Sequence, residues 1–347
     1  MLNFMREYKP GKMLDHGGKL FNASQKFSIP VNEWLDLSTG INSESWPIGK
    51  IPASLFCRLP EEDDSLLPAA QSYYGVTNCL PIAGSQTAIQ HLPHMRPSCN
   101  VAVISPGYEE HAFCWHYAGH KVYLISSEEI ESILSNIDVL VIINPNNPTT
   151  ERFSENQLCH WYDQLHKKKG WLIVDEAFMD ITPDASVLKL SSNPGFIVLR
   201  SLGKFFGLAG IRVGFIFSDP AFLTKFSKGI GPWSISNPSR YIAIQALQDR
   251  AWQSKARNKL NKNAWKLFQL LNQANLSPHG RSDYFHWVVN KNSEEIFTHL
   301  AHQGILVRLF KEPLSLRFGL PSNKLEFERL ENSLKHIKYL EKETSIA

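Results

Sequence analysis

The sequence lacks any apolar run long enough to span a bilayer, which argues against a helical membrane protein. Its opening stretch, MLNFMREYKPGKMLDHGG, has no apolar secretion core, so a cytoplasmic location is expected. Cysteine is scarce: Cys57, Cys79, Cys99, Cys114 and Cys159 form no CxxC pair. An odd, scattered set excludes a disulfide framework and reads as reduced thiols, mostly small buried hydrophobes. Charge of one sign is also lacking. A net charge of +3 offers little to draw nucleic acid or an anionic membrane, so the expected partner is a small molecule. There is no internal repeat and no low-complexity linker.

What is present is an ordinary globular composition, 43% hydrophobic and 20% charged over 347 residues. That length suits one large domain and a smaller one. Continuous apolar runs of strand length (VAVIS, KVYLIS, DVLVIIN, WLIVDE) alternate with helical patterns. Such runs suit strands buried on both faces of a mostly parallel sheet. Ser65 to Tyr74 reads as a helix stopped by Gly75, and Ser85 as the N-cap of the next. SENQLCHWYDQLHKKKG reads as a capped helix with Gly170 as its stop. From about Pro238 the pattern changes to one long helix, then YFHWVVN, a helix, ILVRLF, LSLRFG and a last helix. The expected division is an N-terminal arm over 1–44 joining the small domain, a large domain over 45–240 and a small α+β domain over 241–347.

In open α/β sheets ligands gather at the carboxyl ends of strands. Here each inferred strand end delivers a polar group or a glycine turn. LPIA leads to Gly84, Ser85 and Gln86, and VAVIS to Pro106, Gly107 and Tyr108. VLVII leads to Asn144 through Asn147, WLIV to Asp175 and Glu176, and FIVL to Arg200, Ser201 and Lys204. The connection FIVLRSLGKFFGLAGIRVGFIFS sets one lysine among glycines and phenylalanines, with Arg212 at the mouth of the next strand. A lysine in such surroundings is favoured in its neutral, nucleophilic form by desolvation.

NPNNPT, VDEAF, SLGKFFGLAGIRVGF and SLRFGLP, in that order, resemble the aspartate-aminotransferase fold family, the fold type I enzymes that use pyridoxal 5'-phosphate (PLP). The resemblance covers nearly the whole chain. It implies an α/β fold, with a large domain around a mostly parallel seven-stranded sheet plus a smaller α+β domain, and a homodimer. It implies PLP as cofactor, linked to Lys204, with Asp175 on the pyridine nitrogen, Asn147 on the 3-oxygen and Tyr108 against the ring. Ser201 and Arg212 are implied phosphate ligands. Ser85 and Gln86 open a helix whose amides and dipole suit an anion.

Two positions depart from the family pattern. Phe178, in DEAF, stands where many relatives carry a tyrosine that reaches the 3-oxygen. Leu59, in RLPEEDD, stands where many carry a tyrosine that reaches the partner subunit's phosphate.

DHGGKLFNASQKF, LDLSTGIN, GPWSISNPSR and GILVRLF with SLRFGLP resemble one branch of the family, the enzymes that decarboxylate L-threonine O-3-phosphate in cobalamin assembly. The resemblance implies that substrate. It makes Arg317 an anion clamp with Arg308 its partner, and His16, Gly17 and Gly18 a closing loop with Asn42 nearby. An arginine on an apolar strand is expensive to bury without an anion. Two other readings stay open: a histidinol-phosphate-like aminotransferase, and a non-catalytic binding module. The absence of GxGxxG near Lys204 disfavours a Rossmann version of the latter.

Overall fold

The computed structural model describes residues 6–9, 16–62 and 64–343. These residues form two compact units. The first comprises 6–9, Ser45–Asn147 and Glu151–Gln253, and the second 16–44, Pro148–Thr150 and 254–343. Arm residues 16–44 thus cluster with the C-terminal part of the chain, whereas 6–9 cluster with the first unit.

The first unit is built on an eight-stranded sheet. Its strands are β1 (Arg6–Glu7), β2 (Cys79–Ile82), β3 (Asn100–Ile104), β4 (Lys121–Ile125), β5 (Val139–Ile143), β6 (Trp171–Asp175), β7 (Phe196–Ser201) and β8 (Gly214–Phe217). Their order is β1-β4-β3-β5-β6-β7-β8-β2. Strands β3 to β7 pair in parallel, while β8 runs antiparallel to both β7 and β2. The sequence reading expected seven strands. The eighth, β1, is two charged residues paired antiparallel on the edge of β4, too short and too polar to carry a hydrophobic signal.

Burial explains the central strands. Every residue of β5 and of β7 is buried, as two-faced coverage by helices requires. Each fully buried Val, Ile or Leu contributes roughly 1.5–3 kcal/mol, far more than the local β-propensity of these residues. The covering helices bury matching stripes. In Glu155–His166 the buried positions are Leu158, Trp161, Tyr162 and Leu165, and Ser154 caps it by a reciprocal box with Gln157.

Two local expectations are corrected. The helix Ser85–His91 is capped by Gly84, with φ +77°, and Ser85 is its first helical residue. The single long helix after Pro238 is two, Asn237–Gln248 and Arg250–Gln273. The break falls at Asp249, whose carboxylate accepts from the Trp252 amide (2.9 Å) and the Trp46 indole (3.1 Å). The chain then passes into the second unit at Gln253, inside that second helix.

The second unit has a four-stranded antiparallel sheet, in the order Gly280–Arg281, Phe285–Val289, Leu314–Gly319, Arg308–Lys311. The run ILVRLF splits. Ile305–Leu306 pairs in parallel with Leu35–Asp36, and Arg308–Lys311 pairs with Leu314–Gly319. All five cysteines are free thiols; Cys79 and Cys114 are buried as expected, Cys99 and Cys159 are half-buried, and Cys57 is exposed, so the buried-hydrophobe reading fails there. No helix among the described residues is long and apolar enough to cross a membrane.

Candidate active site

The first unit gathers eight of the expected site residues along adjacent strand ends. Asp175 closes β6 and lies opposite Leu199 of β7. Two residues further, Ser201 lies opposite Gly214 of β8, and Gly214 opposite Ile82 of β2. Beyond Ile82 come Gly84, Ser85 and Gln86, so the sheet sets a carboxylate, a hydroxyl and a helix start in sequence across its edge.

Asp175 is buried, and its Oδ1 accepts from the Ala177 amide at 3.0 Å. Its Oδ2 meets the Nε2 of buried His111 at 3.0 Å. His111 sits in the first turn of the helix Glu110–Tyr117, with its ring edge-on to Tyr108 at 6.3 Å. The Tyr108 hydroxyl donates to Gln86 Oε1 at 3.4 Å, and the Gln86 amide donates to Glu110 at 2.8 Å. Burial raises the Tyr108 hydroxyl well above its ordinary pKa, Glu110 and Asp175 add to this, and Arg212 opposes it. Tyr108 therefore stays protonated as a neutral, half-buried aromatic.

Arg212 has φ +55°, and its guanidinium reaches back over Gly84. A Cβ at Gly84 would stand 2.9 Å from Nη2 of Arg212, and one at Gly214 would stand 2.7 Å from the Ser85 amide nitrogen. Both glycines thus hold open the space in which an arginine and a helix start converge. Ser201 is buried, with its Oγ accepting from the Gly203 amide at 3.2 Å. Lys204 is half-buried and its Nζ lies 5.4 Å from the centroid of the Phe178 ring. Asn147 is half-buried, in a loop pinned by Asn144, which exchanges hydrogen bonds with the Phe153 backbone, and by Asn146, which donates to the Pro106 carbonyl at 2.8 Å.

Beneath this edge lies an ionic cluster. Arg200, read from the sequence only as a polar strand end, is fully buried between Glu176 and Asp180, each at 3.0 Å, and donates to Ser186. Burial works against the cation, but Glu176 and Asp180 outweigh it and hold its pKa above the ordinary value. The cluster braces the turn that carries Asp175 and Phe178.

The second unit holds the remaining residues. Arg308 and Arg317 are direct cross-strand partners. Arg317 is buried, packs over Phe285 and donates to the Ser38 carbonyl at 2.5 Å. Burial and the neighbouring Arg308 push its pKa down to about 9, with Asp36 opposing. Two guanidiniums held side by side repel, and an anion between them would relieve both the repulsion and the desolvation. Gly17 packs on the Ser38 carbonyl and the Gly18 amide donates to Ser38 Oγ at 2.8 Å. His16 is half-buried at the head of this loop. Asn42 is buried and its Oδ1 accepts from the Glu44 amide at 3.0 Å, closing a turn. Hydrogen bonds and packing therefore join Gly17, Gly18 and Arg317, with Arg308 beside them. Asp15, at the head of the quoted motif, lies outside the described residues.

Sequence reasoning missed His111 and Ser38. His111 falls three residues after Tyr108 in a stretch read simply as a helix. Nothing in its spacing says that this face of the helix meets Asp175.

The mostly parallel sheet, with Asp175 and His111 paired at one strand end and Lys204 beyond another, has the architecture of the fold type I enzymes. The chain belongs to the aminotransferase class I and II family, whose model matches residues 63–333. It is 45% identical over 93% of its length to the threonine-phosphate decarboxylase of Pseudomonas aeruginosa, covering 97% of that protein. It is 33% identical over 92% of its length to the threonine-phosphate decarboxylase of Sinorhizobium sp, again covering 97%. Its fold matches the histidinol-phosphate aminotransferase of Sinorhizobium meliloti, solved with pyridoxal 5'-phosphate, with a TM-score of 0.77 at 18% identity, over 94% of this chain and 96% of that one. The residues present fit that cofactor. A glycine-lined space beside Arg212 and Ser85 suits its phosphate, and buried Asp175 suits a protonated ring nitrogen.

Proposed function

We propose that the protein is a PLP-dependent decarboxylase that converts L-threonine O-3-phosphate to (R)-1-amino-2-propanol O-2-phosphate and carbon dioxide, supplying the aminopropanol linker of cobalamin. The observation that carries this reading is the Arg308–Arg317 pair: two guanidiniums on adjacent strands, one of them buried, match a substrate with two anionic groups. The high identity to threonine-phosphate decarboxylases over almost the whole chain supports it.

Bound PLP supplies an electron sink for the pair released at the substrate's Cα. The chain's own residues do the rest. Arg212, Ser201 and the Ser85 and Gln86 amides hold the cofactor phosphate. Asp175 would keep the ring nitrogen protonated, with His111 fixing the carboxylate's orientation. Tyr108 would pack against the ring, and Asn147 would donate to its 3-oxygen. Lys204 would hold the cofactor's aldehyde end and could return a proton to the substrate's Cα. Arg317 and Arg308 bind the phosphate and carboxylate of the substrate. By anchoring both ends they fix rotation about Cα, so that the bond to the carboxylate is the one that breaks. His16, Gly17, Gly18 and Asn42 line the closing loop.

The protein works as a cytoplasmic homodimer in this reading. The exposed Phe56, Leu59 and Trp233 of the first unit supply apolar surface of the kind a subunit contact covers.

The test is incubation with threonine phosphate alone, assaying carbon dioxide and aminopropanol phosphate. Decarboxylation without any added 2-oxo acid is expected, with threonine phosphate preferred over threonine by about a thousandfold in kcat/KM, because the plain substrate leaves buried arginine without its anion. A requirement for a 2-oxo acid acceptor would assign the protein to the aminotransferases instead. Equal kcat/KM for the two substrates would remove the phosphate from the reading.

A further inference from the structure

Ser38 makes four hydrogen bonds from one residue. Its carbonyl accepts from Nη2 of Arg317, the buried arginine of the cross-strand pair. Its Oγ accepts from the Gly18 amide at 2.8 Å. The same Oγ donates to Asp36 Oδ1 at 2.6 Å, and the Ser38 amide donates to that oxygen at 2.9 Å. Asp36 in turn belongs to the short strand Leu35–Asp36, held in register by Ile305–Leu306. Behind Ser38 the backbone is clamped as well, because the Gly319 amide donates to the Leu37 carbonyl at 2.8 Å. Gly17 completes the enclosure, since a Cβ there would collide with the Ser38 carbonyl oxygen.

A hydroxyl with one donor and two acceptor sites is well used here, and it is local to a carbonyl aimed at a guanidinium. The direction of that carbonyl constrains how the Arg317 guanidinium is oriented. The direction of the carbonyl is in turn set by the Asp36 bonds on one side and the Gly17–Gly18 loop on the other. We infer that Ser38 is a positioning residue, which ties the Gly17–Gly18 loop to Arg317 and fixes the guanidinium for an anionic ligand. The inference rests on the reading that Arg317 takes a substrate anion, and it concerns a residue that does not itself touch the reacting atoms.

The link makes two independent perturbations converge. Ser38→Ala cuts the hydroxyl bonds to Gly18 and Asp36 and leaves the carbonyl held only by the backbone bonds around it. Gly17→Ala leaves the hydroxyl intact and displaces the carbonyl directly. Both should weaken anion binding through Arg317, and Gly17→Ala also alters the closing loop that carries it.

The experiment measures binding of inorganic phosphate, by calorimetry on the holoenzyme, and KM for threonine phosphate. The proteins are wild type, Ser38→Ala, Gly17→Ala, Arg317→Met and the two double variants with Arg317→Met. Each single variant at Ser38 or Gly17 should weaken phosphate binding and raise KM by about tenfold, the scale of one charge-assisted hydrogen bond misplaced. In the Arg317→Met background Ser38→Ala should have no further effect on either quantity, and Gly17→Ala none on phosphate binding, because the residue they act through is gone. The cofactor's absorption spectrum should be unchanged throughout. Multiplicative losses of phosphate binding in the double variants, or unaltered phosphate binding in Ser38→Ala, would overturn the inference. If Ser38→Ala fails to fold, the Gly17→Ala cycle decides by the same criterion. Intact phosphate coupling without decarboxylation of threonine phosphate would defeat the proposed function and leave the Ser38 link standing. A wild type that binds neither ligand would defeat both.

Discussion

Asp175 and His111, 64 residues apart in sequence, form a buried pair with Oδ2 3.0 Å from Nε2. One oxygen of the carboxylate is held by the imidazole and the other by the Ala177 amide, so its plane is fixed from both sides. Asp175→Ala should retain the cofactor yet lower kcat by roughly a hundredfold or more, the effect of losing a buried charge contact of a few kcal/mol. His111→Phe keeps the ring's packing against Tyr108 and loses only the hydrogen bond, so kcat should fall by about tenfold. Steady-state kinetics on the two variants checks both, and near-normal turnover in Asp175→Ala would remove it from the ring-nitrogen role.

Gly84 has φ +77°, and a side chain there would press on Arg212. Gly84→Ala combines backbone strain of about 1–2 kcal/mol with displacement of the guanidinium. Affinity for PLP should drop by at least about tenfold, read by spectral titration of the apoprotein. An unchanged dissociation constant would mean that Arg212 does not hold the cofactor phosphate.

Phe178 stands where many family members carry a tyrosine, and its ring lies 5.4 Å from Lys204 Nζ. Phe178→Tyr introduces a donor toward the cofactor's 3-oxygen, favouring its anionic form. The pH at which the bound cofactor's absorption band changes should therefore fall. A titration identical to wild type would place the new hydroxyl away from the cofactor.

Arg317→Lys preserves charge but loses the planar fork that can serve Ser38 and an anion together. KM for threonine phosphate should rise and kcat should drop with it, because a loosely held substrate lets its Cα–carboxylate bond leave the reactive orientation. Product analysis should then show pyridoxamine phosphate accumulating slowly. A change in KM alone would mean that Arg317 binds without orienting.

His286 is buried in the second unit and its Nε2 donates to the Ala264 carbonyl at 2.7 Å. Burial pushes its pKa down from 6.5 to about 4. Between those values the unfolded chain binds the proton and the folded one does not. Stability should therefore decline as pH falls through this window, by about 3 kcal/mol at its lower end. Urea midpoints against pH would show it, and His286→Met should flatten the slope. Equal slopes for the two proteins would exclude His286 as the group responsible.

The clustering of the candidate site residues was legible because they sit at strand ends, and strand ends are marked by apolar runs that stop. Lys204, Asp175 and Arg212 each follow or precede such a run. The central sheet was legible for the same reason, since strands buried on both faces carry unbroken hydrophobic signals. What escaped was structure maintained by few or polar residues. The edge strand Arg6–Glu7 has no hydrophobic pattern, and Asp249 reads as an ordinary polar residue until its carboxylate caps a new helix.

The sequence by itself determined the alternation of strands and helices, the identity of the chemical groups at the strand ends, and the family. These depend on local pattern and on residue type, which a linear reading contains. Only the tertiary structure decided that His111 holds Asp175, that Arg200 lies buried between Glu176 and Asp180, and that Ser38 joins Gly18 to Arg317. Each of these is a contact between residues 20 to 279 positions apart. Their energies come from burial and from donor–acceptor geometry within hydrogen-bond distance, and a chain acquires neither until it folds.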